Sequence, residues 1–159
     1  MRNALSLVLL AACCAWTQEK APSGAEKFPD ADAKENVTST CSACHTLVRV
    51  TSNRRTAKAW TATIKTHETR GLHLEPEEAA PIVKYLADYF GPMINVNNAT
   101  AAEFAALPQV DDKLARAVVA YREKTGEFKK IEDLTSVKGF TPALLAKLKN
   151  RLEVGKAAQ

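Results

Sequence analysis

Apolar side chains in the middle of the chain recur at helical spacing, and the polar residues around them mark where a helix begins and ends. Thr56 has the side chain of an N-cap and Gly71 that of a C-terminal stop, which predicts a helix over residues 56–70. The residues that share one face of this helix are Trp60, Thr63, Ile64 and His67. A side chain on this face is expected to point into a core or a ligand site.

A second helix is predicted where Pro76 is followed by two glutamates, because proline and acidic residues favour a helix start. Its apolar face consists of Ile82, Val83, Leu86, Tyr89 and Phe90. Gly91 and Pro92 end it. Pro81 lies several residues inside, so it is expected to kink the helix or delay its start. The polar stretch 49–55, ahead of the first helix, is predicted to be a loop.

The last third of the chain alternates short amphipathic segments with tight turns. A polar lead offers Thr100 or Asn98 as a helix cap, with Glu103 in the first turn. The segments after this first helix are predicted as a break at 107–111, a helix over 112–124, a turn at 125–128, a short helix over 131–137, a hairpin at 138–142 and a helix over 143–152. No strand is predicted, so the fold class is all-α.

Composition and charge are compatible with two small helical domains. The chain has 159 residues, of which 46% are hydrophobic and 25% charged, and its net charge of +4 is mild. The predicted organisation is a signal peptide over 1–15, a linker over 16–34, a first domain over 35–92, a second domain over 93–155 and a tail over 156–159. The linker is expected to be flexible because Ala, Pro, Gly and charged residues dominate it.

The N-terminus has the pattern of an export signal. One basic residue precedes a short apolar run over residues 4–12, which is too short for a permanent membrane span. Residues 10–13, Leu-Ala-Ala-Cys, resemble the bacterial lipobox, in which the cysteine is lipidated; this predicts lipidation of Cys13 and attachment to a membrane. The alternative is ordinary cleavage after Ala15. Either route places the protein in the periplasm or at the cell surface.

Residues 41–45, Cys-Ser-Ala-Cys-His, have the spacing that attaches c-type haem. Cys41 and Cys44 are one helical turn apart, so each thiol can add to one vinyl group of the porphyrin, and His45 then lies under the iron as a ligand. A zinc site would require two further ligands nearby, and no later cysteine exists. A thioredoxin-like pair would require a βαβ surround, which the pattern does not indicate. The predicted cofactor is one covalent haem c.

The sixth iron ligand has several candidates. His67 shares a helix face with Trp60 and Ile64, which are expected to contact the porphyrin, and this favours His67 as the second metal ligand. His73, Met93 or water are the alternatives. Met93 follows the end of the second predicted helix and could reach back as a loop ligand, whereas His73 is expected in a solvated turn.

The haem motif, the helix with its tryptophan, and the Glu-Glu-x-x-x-Ile-x-x-Tyr-Leu stretch over 77–86 resemble small single-haem cytochromes c, including the haem domains of quinohaemoprotein amine dehydrogenases. The resemblance covers residues 41–90. It implies a methionine ligand at the position of His67, so the chain departs from the family there. Two histidine ligands would lower the reduction potential, since methionine ligation raises it.

The second half has motifs of a different family. The Ile-Asn-Val-Asn lead at 94–97, Ala-Tyr-Arg-Glu-x-x-Gly-x-Phe-Lys at 120–129 and Glu-Asp-Leu-x-x-Val-Lys-Gly at 132–139 closely resemble ComEA-type DNA receptors of natural competence. The resemblance implies two helix-hairpin-helix motifs that hold DNA phosphates with backbone N–H groups and lysines. The implied DNA-binding residues are Lys138, Gly139, Phe140, Thr141, Lys147, Lys149, Gln109, Val110 and Lys113. Phe140 is expected to pin the hairpin from the core.

The first hairpin departs from the family's Gly-apolar-Gly turn. Its sequence is Gln109, Val110, Asp111, followed by Asp112, and two carboxylates at a phosphate-binding turn repel DNA. Residues 92–154 hold ten basic and eight acidic residues, a weak excess for a DNA-binding domain. The remaining local basic patch would consist of Arg122, Lys124, Lys129 and Lys130. A protein-docking role for this domain is the alternative.

The sequence therefore predicts an all-α protein, a small c-type cytochrome domain followed by a tandem helix-hairpin-helix domain. Its function would be one-electron transfer by a haem that is held on nonspecifically bound DNA, with redox partner proteins and no enzymatic activity or small-molecule substrate. The alternatives are a competence-type DNA-uptake receptor with an accessory haem, a respiratory-complex subunit whose hairpins dock protein, and a peroxidase, which would need an open iron site.

Overall fold

The computed structural model describes residue 24 and residues 27–155 of the chain. Its elements in chain order are α1 (Lys34–Ser42), α2 (Val48–Thr51), α3 (Ala57–Glu68), α4 (Pro76–Phe90), β1 (Ile94–Asn95), α5 (Ala101–Ala105), α6 (Asp112–Thr125), a 3₁₀ helix (Ile131–Ser136), α7 (Pro142–Leu148), a 3₁₀ helix (Lys149–Arg151) and β2 (Leu152–Glu153). The predicted export signal with Cys13, and the tail over 156–159, lie outside the described residues.

The described chain folds around two hydrophobic cores, one for each half of the sequence. The first core is formed by Phe28, Val37, Leu47, Val50, Trp60, Ile64, Ile82, Tyr85, Leu86, Tyr89 and Phe90. The second is formed by Val96, Ala99, Phe104, Leu107, Val110, Ala115, Val118, Phe128, Leu134, Val137, Phe140, Leu144, Leu148 and Leu152. The protein is mostly helical, as the sequence predicts, but β1 and β2 form a short parallel pair that the sequence does not predict.

Helices α3 and α4 follow the predicted boundaries closely because their caps are local. The Thr56 hydroxyl accepts a hydrogen bond from the Ala59 N–H at 3.3 Å, and Glu75 with Glu78 forms a capping box at the start of α4. The prediction that Pro81 delays the start of α4 is wrong, since the helix begins at Pro76 and runs without a break to Phe90. Pro81 lies on the exposed face, where water can satisfy the carbonyl group that its missing N–H leaves free.

Two further expectations for the first half differ from the structure. The predicted loop over 49–55 contains most of the short helix α2, because Val50 is buried and anchors it to the first core. The predicted flexible linker over 16–34 is wrong in its last part, because Phe28 is only 3% exposed. Its ring lies 4.9 Å from that of Phe90, and the Tyr85 hydroxyl donates to the Pro29 carbonyl at 2.6 Å.

In the second half, the last two predicted helices are shorter than the sequence predicts. The segment predicted as a helix over 131–137 is a 3₁₀ helix that ends at Ser136. The helix predicted over 143–152 ends at Leu148 and is followed by a 3₁₀ turn and strand β2. Leu152 is buried in the core while pairing with Ile94, so the chain must become extended at this point.

Arg151 connects the two halves. Its side chain is 7% exposed and donates hydrogen bonds to the carbonyl groups of Ala87, Asp88 and Pro92 at 2.6–2.9 Å. These carbonyls belong to the last turn of α4 and the loop after it, where no helical donor is available. Gly91 permits this close approach, since a Cβ atom there would lie 2.6 Å from the Arg151 guanidinium carbon.

In the part of the chain that the structure describes, no helix combines the length and the apolar character that a membrane crossing requires.

Candidate functional site

A cavity of about 380 Å³ lies between α1, α2, α3 and α4 in the first half. This volume lies within the range of small-molecule and cofactor pockets. All six residues that the sequence predicts to hold the cofactor line it, namely Cys41, Cys44, His45, Trp60, Ile64 and His67. The fold therefore brings the Cys-x-x-Cys-His motif and the α3 face together around one space.

His45 and His67 face each other across this cavity, and each ring is oriented by a backbone carbonyl. The Nδ1 atom of His67 lies 2.8 Å from the Thr63 carbonyl oxygen, and that of His45 lies 3.1 Å from the Thr46 carbonyl oxygen. A carbonyl only accepts hydrogen bonds, so each Nδ1 carries the proton and each Nε2 keeps a free lone pair. This is how metal-ligating histidines are held in proteins.

The distance between the two rings fits a single metal ion between them. The ring centroids are 6.2 Å apart. Two nitrogen–metal bonds of about 2.0–2.1 Å each span about two thirds of this distance, and the rest is the distance from each ring centre to its nitrogen. Within the described residues, no group of three or more His, Cys, Asp or Glu side chains could hold a metal ion. The two imidazoles could therefore hold a metal ion only together with ligands from another group, and a haem would supply such ligands.

The two cysteines differ in their surroundings. Cys44 is exposed, whereas Cys41 packs against the first core, and burial raises the pKa of the Cys41 thiol to about 11. A redox-active Cys-x-x-Cys pair requires a thiol whose pKa is lowered, so that a thiolate is present at neutral pH. The local environment opposes this chemistry and is compatible with thiols that have been consumed in thioether bonds.

The alternative iron ligands of the sequence are placed elsewhere. His73 lies in an exposed turn and Met93 is 37% exposed, and the cavity is lined without either of them. The sequence prediction missed several lining residues: Arg49, Arg55, Arg70, Leu72 and Leu86. The three arginines lie in loops or in the short helix α2, so helical periodicity gives no signal for them.

The second half contains two hairpins with the same backbone design. In the second hairpin, Gly139 has a φ of 100° and the Phe140 N–H donates to the Val137 carbonyl at 2.9 Å. In the first hairpin, Gln109 has a φ of 63° and the Val110 N–H donates to the Leu107 carbonyl at 3.3 Å. Gln109 thus adopts the left-handed conformation that glycine supplies in the second turn.

The two hairpins differ in the charge of the helix cap that follows. Asp111 caps α6 by accepting from the Leu114 N–H at 2.7 Å, whereas Thr141 caps α7 by accepting from the Leu144 N–H at 3.1 Å. A carboxylate at this position places a negative charge where an incoming phosphate would bind. The second hairpin is neutral there, and Lys138 beside it is exposed.

The predicted DNA-contact residues divide by burial. Lys138, Gly139, Thr141, Lys149, Gln109 and Lys113 are exposed, and Lys147 is half-buried. Val110 and Phe140 are 5% and 2% exposed, so their side chains anchor the hairpins and only their backbones can reach a ligand. Arg122 is wrongly assigned to a basic patch, because its guanidinium donates to the carbonyls of Val96 and Ala99.

Asn97 is a structural residue whose role the sequence does not reveal. It is 4% exposed, its Nδ2 donates to the carbonyls of Phe128 and Gly155 at 2.9 Å, and its Oδ1 accepts from the Phe128 N–H at 2.9 Å. It therefore ties the lead segment to the turn after α6 and to the end of the described chain. The Ile-Asn-Val-Asn lead contains this residue, and its polarity gives no signal of burial.

Comparison with known proteins identifies the second half. The helix-hairpin-helix motif family matches residues 91–153. ComE operon protein 1 of Bacillus subtilis is 38% identical over 64 residues, which are 40% of this chain and 31% of the relative. A human protein, endonuclease/exonuclease/phosphatase family domain-containing protein 1, is 45% identical over 56 residues, which are 35% of this chain and 10% of the relative. A Haemophilus influenzae protein is 42% identical over 60 residues, 37% of this chain and 54% of the relative.

The chain thus spans about a third of the Bacillus subtilis relative and about a tenth of the human one. No solved structure matches the chain. The family match begins at residue 91, after the four helices that form the cavity. Residues 91–153 of this chain match the helix-hairpin-helix motif family and contain both hairpins.

Proposed function

We propose that this chain is an exported DNA receptor of the competence type, whose N-terminal half binds one covalent haem c. The DNA-binding part rests on the helix-hairpin-helix match together with the similarity to ComE operon protein 1. The paired hairpins supply the geometry, since each presents backbone N–H groups at a sharp turn before a capped helix. Export rests on the N-terminal signal pattern and on the Bacillus subtilis relative, and a lipid on Cys13 would hold the receptor at a membrane.

The second hairpin is the phosphate-binding one in this proposal. Its turn is neutral, and Lys138 and Lys149 are exposed near it, with Lys147 half-buried on α7. Lysines and backbone amides bind phosphates without distinguishing base pairs, so the expected binding is nonspecific and strongly salt-dependent. The first hairpin contributes little, because Asp111 places its carboxylate at the start of α6.

Duplex DNA binding to the mature protein, followed by fluorescence anisotropy against salt concentration, tests this function. Lys138→Gln/Lys149→Gln should weaken binding to every sequence alike and lower the salt slope by roughly one for each lysine. The charge-matched control is Lys58→Gln/Lys65→Gln in the other half, since both of its lysines are exposed on α3. An equal loss of DNA affinity in both double variants would contradict the proposal. DNA binding that is insensitive to salt would contradict it as well.

A second candidate function is electron transfer by the haem while the protein is held on DNA. The pair of histidines with ring centroids 6.2 Å apart favours it, because two histidine ligands would leave no open position on a haem iron for peroxide. When bound, the haem supplies a one-electron couple. The chain's own residues bind and orient it: Cys41 and Cys44 through thioethers, and His45 and His67 through Nε2.

Expression of the full chain with a haem-attachment system tests the cofactor. We expect a denatured chain that keeps its haem absorbance, which Cys41→Ser/Cys44→Ser should abolish. If the native chain carries haem and the haem-free variant supports DNA uptake equally well, the receptor with an accessory haem is favoured. Copurification with a respiratory complex, together with absent DNA binding, would favour the protein-docking role for the hairpins.

A further inference from the structure

Three arginines at the mouth of the cavity form no salt bridge within the described residues. Arg49, Arg55 and Arg70 line the cavity and are also exposed, so they lie at its rim. The two salt bridges within the described residues both involve lysines. The cavity lining contains no acidic side chain. Three cations therefore surround the opening of a mainly apolar space.

Charge is segregated in the sequence around this opening. Residues 36–67, from the middle of α1 to the end of α3, contain no Asp or Glu. The same stretch contains five basic residues, Arg49, Arg54, Arg55, Lys58 and Lys65. No carboxylate of this segment can neutralise Arg49 or Arg55, so the rim attracts anions; Arg70 lies just outside the segment, after Glu68.

The guanidinium group of each rim arginine has N–H donors available for an anion. Arg55 donates to the Asn53 side chain at 3.1 Å and lies over the Trp60 ring, with its guanidinium carbon 5.8 Å from the ring centroid. Arg49 and Arg70 have no side-chain partner among the described residues. A guanidinium presents parallel N–H groups that match the two oxygens of a carboxylate.

We propose that Arg49, Arg55 and Arg70 form a carboxylate-binding cluster that holds the two propionate groups of the haem. This inference rests on the proposed haem. It adds the residues that would fix how the haem is rotated within the cavity. A porphyrin dicarboxylate has an apolar body and two anionic arms on one edge. The cavity has the complementary form, with apolar walls from Trp60 and Ile64 and cations at the rim.

The first test is the reduction potential of the full chain with covalent haem. Removing cations near the iron stabilises the ferric state, so Arg49→Gln/Arg70→Gln should lower the ratio of reduced to oxidised haem at least tenfold at fixed solution potential, which is about 59 mV for one electron. Lys58→Gln/Lys65→Gln removes the same charge from the same half of the protein without touching the cavity, and it should have a much smaller effect. Equal shifts in the two double variants would overturn the inference.

The second test uses the propionates themselves. In Cys41→Ala/Cys44→Ala, where covalent attachment is removed, haemin should bind at least tenfold more tightly than haemin dimethyl ester. Adding Arg49→Gln/Arg70→Gln should abolish this preference, whereas Arg49→Lys/Arg70→Lys should restore part of it. Equal affinity for the acid and the ester would overturn the carboxylate cluster.

The outcomes separate this inference from the proposed function. If the native chain neither acquires covalent haem nor binds added haemin, the haem proposal itself fails. If haem binds normally and the arginine variants equal the lysine controls, only the carboxylate cluster fails. If the arginine variants lose DNA affinity while the potential is unchanged, the arginines bind phosphates, and the inference is again overturned.

Discussion

At the scale of single residues, His67 is notable for the hydrogen bond that fixes its ring. The Thr63 carbonyl, one turn earlier in α3, holds Nδ1 at 2.8 Å and leaves Nε2 free, and the ring lies 6.2 Å from that of His45. Both partners belong to α3, so this bond orients the ring without any tertiary contact. The orientation is therefore built into α3 before a cofactor binds.

Replacement of His67 by methionine should raise the reduction potential of the haem protein, because a thioether ligand stabilises the ferrous state relative to imidazole. His67→Ala should leave the covalent haem in place but open the sixth position to water and to external ligands. Potentiometry and electron spin resonance measure the two effects. His73→Ala is the matched control in the same half. If the iron ligand field changed in His73→Ala and not in His67→Ala, His67 would not be the second iron ligand.

Gln109 is the second residue with an unusual environment, since its φ of 63° costs a side chain about 1–2 kcal/mol. Gln109→Gly should therefore raise the free energy of unfolding by about 0.5–1 kcal/mol, after the entropy that glycine loses on folding is subtracted. Gly139→Ala in the other hairpin is the reciprocal change, and it should lower the free energy of unfolding by about 1 kcal/mol. Urea denaturation measures both. A destabilised Gln109→Gly would show that its side chain has a role that outweighs the backbone strain.

At the scale of elements, the two hairpins use one backbone design with different electrostatics. Both turns contain a left-handed residue followed by a buried apolar anchor and a capping side chain. The cap is the carboxylate of Asp111 before α6 and the hydroxyl of Thr141 before α7. The fold tolerates either cap, but Asp111 places a negative charge at the start of α6 whereas Thr141 leaves the start of α7 neutral.

Asp111→Thr should thus convert the first hairpin into a copy of the second. Its DNA affinity should rise two- to fivefold, which corresponds to about 0.3–1 kcal/mol for a charge at a helix start. Thr preserves the cap, so stability should change little. Glu123→Gln removes an exposed carboxylate from the same helix at its other end and serves as the control. An equal rise in the control would indicate a general effect of net charge.

At the scale of the whole molecule, Arg151 joins the cavity half to the half that contains the two hairpins. It reaches from the segment after α7 to the last carbonyls of α4, and the Phe90 carbonyl in the same turn accepts from the Trp60 indole at 3.2 Å. Burial lowers the pKa of its guanidinium, which nonetheless stays far above neutral pH. Asn150 adds a second bond between the halves, to the Lys27 carbonyl at 3.0 Å.

Arg151→Ala should lower the free energy of unfolding by about 1.5–3 kcal/mol, because charge-assisted hydrogen bonds are lost and the helix-end carbonyls lose their donor. It should also separate one calorimetric unfolding transition into two, one for each core. Arg116→Ala removes an exposed arginine of α6 and should leave the single transition intact. A single transition in Arg151→Ala would show that the two halves are coupled by other contacts.

The sequence alone determined what depends on short-range chemistry. Helix caps such as Thr56 and Thr100, the Cys-x-x-Cys-His spacing and the glycine hairpin at Gly139 involve residues within one or two turns, so their pattern is visible in one dimension. The capping-box geometry and the helix-hairpin-helix match agree with that prediction. The haem itself stays a prediction of the motif.

The tertiary structure decided what depends on long-range contacts. Phe28 enters the first core across more than fifty residues of sequence, Arg151 caps a helix from the other half, and Ile94 pairs with Leu152 in an unexpected strand pair. The rim arginines come together for the same reason, since they belong to three separate segments of the chain. Such contacts leave no local periodicity, because packing selects partners by proximity in space rather than by spacing along the chain.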